Sequence, residues 1–440
     1  MKFWTLSLSI LCASTVARAD DPPAPVGALL ANPGQLATWL AGRDSQVEAA
    51  GARVEAAAAQ GDQARVIPNP QLQVGMAGFS LGRGNRDTTG ALGPTSLTST
   101  TNITVGVTET VEIGKRAPRR AAADLRLREA GEGAVGTLGG RINDATTALG
   151  KLTYVVAHRA AVQTNLDAAR KLQALEKTRV DNKDLSSLDF SRIELDTLKL
   201  EDELRLADAD VAGAVASCSA ALYAPCGTDQ LDAAALDAGA PLPDTIPDAG
   251  RAIAQRPAHV AEELEGQALG KDAELAEHRR IPDPTFGIEY TYDNYEYSGS
   301  VPQTLGFSVA IPLPFFDQGT HDARAARANA HAVEATDRAE IRQETAQAEA
   351  LRAQLSSLQG TLHHLETEVL PRSTKIVAQT QKAFDLGEAR LPDLLLAERD
   401  HRELLNQVLD THFNLFNVRV QLRQALGLDD EAARAARPRK

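Results

Sequence analysis

The side chains best equipped for chemistry are thinly spread. His363 and His364 are adjacent, while His401 and His412 stand alone. Neighbouring helical residues point in different directions, so the pair cannot chelate as an i, i+4 pair does. No metal site is expected, and these histidines read as solvated or packed surface. The sequence offers no GxSxG, HExxH, P-loop or Rossmann fingerprint in a usable context, and no nucleophile beside a base. Paired carboxylates such as Glu201-Asp202 read as solvated helix faces. Cys218 and Cys226 lie eight apart. Two thiols lacking further Cys or His ligands do not make a metal site. A local structural disulfide and a pair of free thiols both remain open. The expectation is a protein that is not an enzyme and uses no cofactor.

What must be positioned is therefore surface. The 440 residues carry 59 acidic and 46 basic side chains, a net charge of −13, which argues against nucleic-acid binding. Aromatics make up 4% of a chain rich in Ala and Leu, a composition of long helices. A helical membrane span needs about 20 mostly apolar residues, and only residues 3–17 approach one. They follow Lys2 and precede Ala17-Arg18-Ala19, the pattern of a signal peptide over 1–19 cleaved before Asp20. Leu11 precedes Cys12 where a lipoprotein signal would place a small residue, so no lipid anchor is expected. An uncleaved anchor helix is the alternative, and the apolar run is short for it.

The strongest feature is an internal duplication. Ile67-Pro68-Asn69-Pro70 recurs 214 residues later as Ile281-Pro282-Asp283-Pro284, and Asp181–Asp189 aligns with Asp385–Asp393 at an offset of 204. Each unit reads helix, strand, strand, long helix, tight turn, helix. The strands alternate with a period of two: Ile103, Val105, Val107, Val111 and Ile113, interrupted only by Glu109; Phe286, Ile288, Tyr290 and Tyr292; Leu305, Phe307, Val309, Ile311 and Leu313. The first strand is weaker, with Leu72, Val74 and Met76. Half-buried strands of a soluble sandwich alternate in the same way. Two features favour lipid instead. The runs suit a tilted bilayer crossing of about 9–11 residues. Residues 285–316 also hold eight of the eighteen aromatics, Tyr295 and Tyr297 among them, as an interfacial girdle requires.

The long helices carry seams that step alternately by four and three, Leu138-Ile142-Ala145-Leu149-Leu152-Val156 and Leu351-Leu355-Leu358-Leu362-Leu365-Val369. Each would extend roughly 100 Å, and Pro371 is expected to kink the second. Four strands cannot close a barrel, which begins at about eight, and open edges are not tolerated in lipid. Several copies must therefore pool their strands. The helices, too long and too charged to lie in the membrane, would project from one side as a coiled-coil tube.

Over nearly all of its mature length the chain resembles the TolC-type outer-membrane efflux proteins. Glu112-Ile113-Gly114-Lys115-Arg116-Ala117-Pro118-Arg119-Arg120 and Ile311-Pro312-Leu313-Pro314-Phe315-Phe316-Asp317-Gln318-Gly319 look like paired motifs of that family's heavy-metal (cation) RND branch. Phe384-Asp385-Leu386-Gly387 with Pro392-Asp393-Leu394-Leu395 resembles its second periplasmic turn. The order, doubling and spacing of the motifs carry the specificity. The resemblance implies an α+β membrane protein: a homotrimer with a 12-stranded β-barrel in outer-membrane lipid and a long α-helical coiled-coil tunnel in the periplasm. It also implies a periplasmic adaptor (membrane fusion protein) and an inner-membrane RND pump as partners, with export of heavy-metal cations.

The expected organisation is a signal peptide, 1–19, then a first repeat, 20–223, with strands 70–82 and 99–113, long helix 114–180 and return helix 188–222. A connecting equatorial segment, 224–250, leads to a second repeat, 251–427. That repeat has strands 285–298 and 303–313, long helix 319–385 and return helix 391–426, and a tail, 428–440, follows. Phe286, Ile288, Tyr290, Tyr292, Leu305, Phe307, Val309 and Ile311 are assigned to the lipid-facing barrel surface. The turns at Asp184-Leu185-Ser186 and Leu386-Gly387-Glu388 are assigned to adaptor contact. Lys183 stands where the second turn has Gly387, so the first turn is expected to differ in shape. Asp189 and Asp393 are assigned to carboxylate rings at the pore entrance, which attract cations, and Asp393 matches an entrance-gate position of the family. For Asp189 a helix N-terminal role is equally open. The competing function is a periplasmic coiled-coil adaptor or scaffold, which needs neither membrane-length strands nor a duplicated unit.

Overall fold

The computed structural model describes residues 24–77, 102–183, 185–229, 231–293 and 302–436. The signal-peptide reading, Asp184, Tyr295 and Tyr297 lie outside them. In chain order the elements are α1 (Val26–Ala31), α2 (Pro33–Ala41), α3 (Ser45–Arg65), β1 (Gln71–Ala77), β2 (Asn102–Thr110), α4 (Arg116–Asp181) and α5 (Ser187–Leu222). There follow α6 (Ala233–Ala238), α7 (Ala249–Ala254), α8 (Pro257–Glu277), β3 (Thr285–Asp293), β4 (Gln303–Ala310), α9 (Thr320–His364), a π turn (Leu365–Val369), α10 (Leu370–Asp385), α11 (Leu391–Ala425) and α12 (Leu428–Ala436). They fall into two compact units. One comprises Arg53–Gly131 and Ala261–Asp337; the other comprises the chain through Ala52, Glu132–Val260 and the chain from Arg338. The chain passes between the units within α3, α4, α8 and α9.

The first unit holds the sheet, wholly antiparallel in the order β1-β2-β3-β4. β4 ends at Ala310 because Pro312 and Pro314 cannot donate to a ladder. Ile311 therefore follows the last paired residue rather than lying within the strand. Where β2 leads into α4, Asp283 accepts from Ile113 N–H (2.9 Å) and Lys115 Nζ (2.6 Å), tying that junction to the approach to β3. Arg119 grips Glu112 through both terminal guanidinium nitrogens (2.6 and 2.8 Å), and its Nε donates to the Ala64 carbonyl at the end of α3. The charged half of the first motif is thus a clasp at the strand-to-helix junction.

In the second unit, α4 buries one stripe, Leu138, Ile142, Ala145, Leu149 and Leu152, with α1, α2, α6 and Phe416 of α11 in the same core. α9 and α11 share a second core around Ala348, Leu355, Leu415 and Leu422. At Pro371 the disturbance is a π turn over the five residues before Leu370, whose N–H reaches back to the Leu365 carbonyl. A proline has no N–H to continue the α pattern, and widening that turn accommodates the gap. Cys218 in the last turns of α5 is bonded to Cys226, with S–S 1.96 Å, across the left-handed Tyr223 that ends the helix. Ala24 pairs beside them, its N–H donating to the Pro225 carbonyl (2.8 Å). His412 is buried with Asp237 (2.9 Å) and Glu366 (3.1 Å) at its two ring nitrogens. Nitrogens on opposite sides of one ring serve two partners, so the arrangement is a clamp and not a chelate.

At the start of α12 two carboxylates are buried side by side. Asp429 accepts from Arg423 (2.7 Å), and burial raises its pKa. Burial likewise pushes Asp430 up to about 6, against the pull of Arg256. A carboxyl with a higher pKa folded than unfolded binds its proton more tightly in the fold, so its contribution favours folding at low pH and is lost as pH rises through about 6. Asp430→Asn should flatten the dependence of Tm on pH between about 4 and 7, read by thermal unfolding across that range.

Candidate functional site: sheet faces and hairpin turns

Register decides what each side of the sheet presents. Leu72↔Val107↔Ile288↔Phe307 and Val74↔Val105↔Tyr290↔Leu305 are rows of directly paired residues. Met76, Ile103 and Tyr292 form a third row, and Phe286 and Val309 a fourth. Residues two apart share a face, so these side chains make one continuous apolar surface across four strands. It is open to the surroundings: Leu72 is 69% exposed, Val74 68% and Phe307 75%. Glu109, which interrupts the alternation, faces the same way opposite Phe286, one residue from the end of β2. The opposite face carries Thr104, Thr108, Thr110, Thr285, Thr291 and Ser308 with interspersed glycines. Two cross-strand hydroxyl pairs, Thr104–Thr291 (3.2 Å) and Thr110–Thr285 (2.9 Å), link β2 to β3 on that side. All the residues assigned to lipid except Ile311 lie on the apolar face of paired strands. Beyond β4, Phe315 and Phe316 are also exposed.

The hairpin turns belong to the other unit. A small core of Ile193 from α5 with Phe384, Leu391 and Leu394 brings the two turns together. Asp196 of α5 pairs with Arg402 of α11 (3.1 Å) alongside. Burial raises the neighbouring Glu398 carboxyl, opposed by Arg402. Leu185 is half-buried, whereas Ser186, Leu386, Gly387 and Glu388 are exposed. Asp189 and Asp393 occupy the same third position of α5 and α11. Neither carboxylate stands alone. Asp189 binds Arg192 (2.9 Å), and Asp393 accepts from the Arg390 backbone N–H (3.3 Å) and side chain (3.4 Å). Both residues thus serve their helix N-termini, whatever else they face. The sequence reading overlooked these arginines, although their i, i±3 spacing from the acids is visible in it.

The two turns make the same hydrogen bonds. Asn182 N–H reaches Thr178, Lys183 reaches Val180 and Leu185 reaches Arg179; Leu386, Gly387 and Ala389 reach Lys382, Phe384 and Ala383 in the same pattern. Lys183 has φ +66° and Gly387 +74°. The expected difference in shape is absent at the described residues, because lysine accepts the left-handed conformation that glycine adopts freely.

Residues 249–428 match the outer membrane efflux protein family. The matched stretch begins at α7, includes β3 and β4, and ends at the first residue of α12. No curated protein matches the chain. Among solved structures, the outer-membrane channel OprN is 16% identical, with a TM-score of 0.74 over 94% of this chain and 94% of its own. CusC, described in terms of transmembrane channel formation, is 14% identical, with a TM-score of 0.74 over 90% of this chain and 91% of its own. The outer membrane channel MtrE of Neisseria gonorrhoeae, in its open state, is 16% identical, with a TM-score of 0.70 over 90% and 88%. At these identities the likeness establishes a shared fold. Among the described residues no helix is long and apolar enough to cross a membrane.

The strained turn yields a direct test. Nothing lies within 4 Å of a Cβ added at Gly387, so Gly387→Ala should cost only the conformational penalty, roughly 1 kcal/mol. Lys183→Gly should relieve a penalty of about that size. Chemical denaturation of the two variants should move the midpoint in opposite directions.

Proposed function

We propose that the chain is the outer-membrane channel of a tripartite efflux system. In this reading three copies pool their strands into a twelve-stranded barrel, and the helical hairpins of duplicated halves form a tunnel in the periplasm. The observation that carries it is the exposed apolar face running across all four strands, with β1 and β4 as open edges. In lipid an edge must be paired. Joining β4 of one copy to β1 of the next, head to tail, closes a ring without remaining edges. Nine residues at about 3.4 Å each, tilted by about 40°, span roughly 23 Å, near the ~25 Å apolar band of such barrels. The family match over residues 249–428 supports the same reading.

A conduit needs no catalytic group. The turns Leu185-Ser186 and Leu386-Gly387-Glu388, together with Asp184, are the proposed contacts for a periplasmic adaptor, which would join the channel to an inner-membrane RND-type pump. Heavy-metal cations are the proposed cargo, on the strength of the two resembling motifs. Asp189 and Asp393 would ring the periplasmic entrance.

Outer membranes from expressing cells, run on SDS gels with and without boiling, should give a heat-labile band near three times the monomer mass. A soluble periplasmic monomer would overturn the proposal in favour of an adaptor or scaffold. In planar bilayers, Asp189→Ala with Asp393→Ala should raise conductance and weaken cation preference, since Arg192 and Arg390 lose their partners. Unchanged currents and selectivity would remove both acids from the entrance.

A further inference from the structure

The polar face of the sheet has a charge pattern of its own. Its strand residues are Thr, Ser, Gln, Asn, Gly and Ala with two exceptions, Glu289 and Asp293. Among the described strand residues that face bears no Lys, Arg or His. Asp293 closes β3, whereas Glu289 lies mid-strand, away from either turn. Its neighbours in register on both sides are glycines, Gly106 on β2 and Gly306 on β4. The glycines leave room that other residues would fill. A Cβ at Gly106 would come within 3.1 Å of the Glu289 Cβ, and one at Gly306 within 2.9 Å of Oε1. The carboxylate therefore lies across Gly306, and among the described strand residues no cation on its face neutralises it. Glu289 is exposed among the described residues.

We infer that Glu289 is a cation-attracting site of the conduit, three copies forming a carboxylate ring inside the barrel, separate from the entrance acids. The inference rests on the channel reading: if the apolar face meets lipid, the polar face lines the lumen. The ligand class is a hydrated mono- or divalent cation held electrostatically, because one carboxylate per chain among hydroxyls does not strip a hydration shell. Such a ring acts over about one Debye length, roughly 30 Å at 0.01 M salt and 3 Å at 1 M. Its effect must therefore be strong in dilute salt and vanish in concentrated salt.

The test is the reversal potential of the full-length channel in planar bilayers under a KCl gradient. Native protein, Glu289→Gln and Glu289→Thr are compared, each also carrying Asp189→Ala and Asp393→Ala. Threonine already recurs on this face, so it serves if glutamine hinders assembly. At about 0.01–0.1 M KCl, loss of the carboxylate should lower the potassium-to-chloride permeability ratio about twofold or more in both backgrounds, and near 1 M the difference should disappear. Channels that conduct with an unchanged ratio in dilute salt would overturn the inference and leave the channel reading standing. Native protein that forms no channel would overturn both.

Discussion

An antiparallel sheet with one apolar face and two open edges is the constraint on which the rest of the molecule depends. The strands pair along their lengths in register, but among the described residues β1 and β4 each have a neighbouring strand on one side only. In water the backbone groups along such an edge would be solvated while the apolar face was penalised. In lipid the face is at home and the edges are not. The proposed assembly with further copies would meet both demands, which is why the proposed function begins from strand pairing and not from any reactive side chain.

The charged motif residues follow the same logic. Lys115, Arg119, Glu112 and Asp283 look like functional signals in the sequence, yet they hold β2, α3, α4 and the approach to β3 in one arrangement. Salt bridges of this kind fix geometry more than they stabilise, since partly exposed pairs contribute little net energy. In the other unit the division is similar. Buried apolar stripes on α4, α9 and α11 hold the helices, while Arg419 binds carbonyls at the end of α6 and Arg423 the Pro241 carbonyl in the segment that follows.

The hairpin turns illustrate how a backbone shape can outlast its preferred residue. Glycine adopts the left-handed conformation of the second turn without penalty, and lysine adopts it in the first because the surrounding hydrogen bonds are the same. Residue type alone suggested two different turns. Asp189 and Asp393 teach a related lesson: their shared helical position was legible from the 204-residue offset, but the arginines that partly neutralise them weaken the simple picture of bare carboxylate rings.

The sequence by itself determined the element types, because a period of two and a stepping of three and four are local consequences of strand and helix geometry. It also determined which strand residues are apolar, since alternation assigns faces within one strand. It could not decide which residues of different strands stand side by side, where β4 stops relative to Ile311, or how the helix accommodates Pro371. Those are set by register and packing between segments far apart in sequence, such as Asn102 and Asp293, which no local pattern encodes. The row Gly106–Glu289–Gly306 is the plainest case. Each residue is ordinary in its own strand, and only antiparallel pairing places two glycines beside one carboxylate.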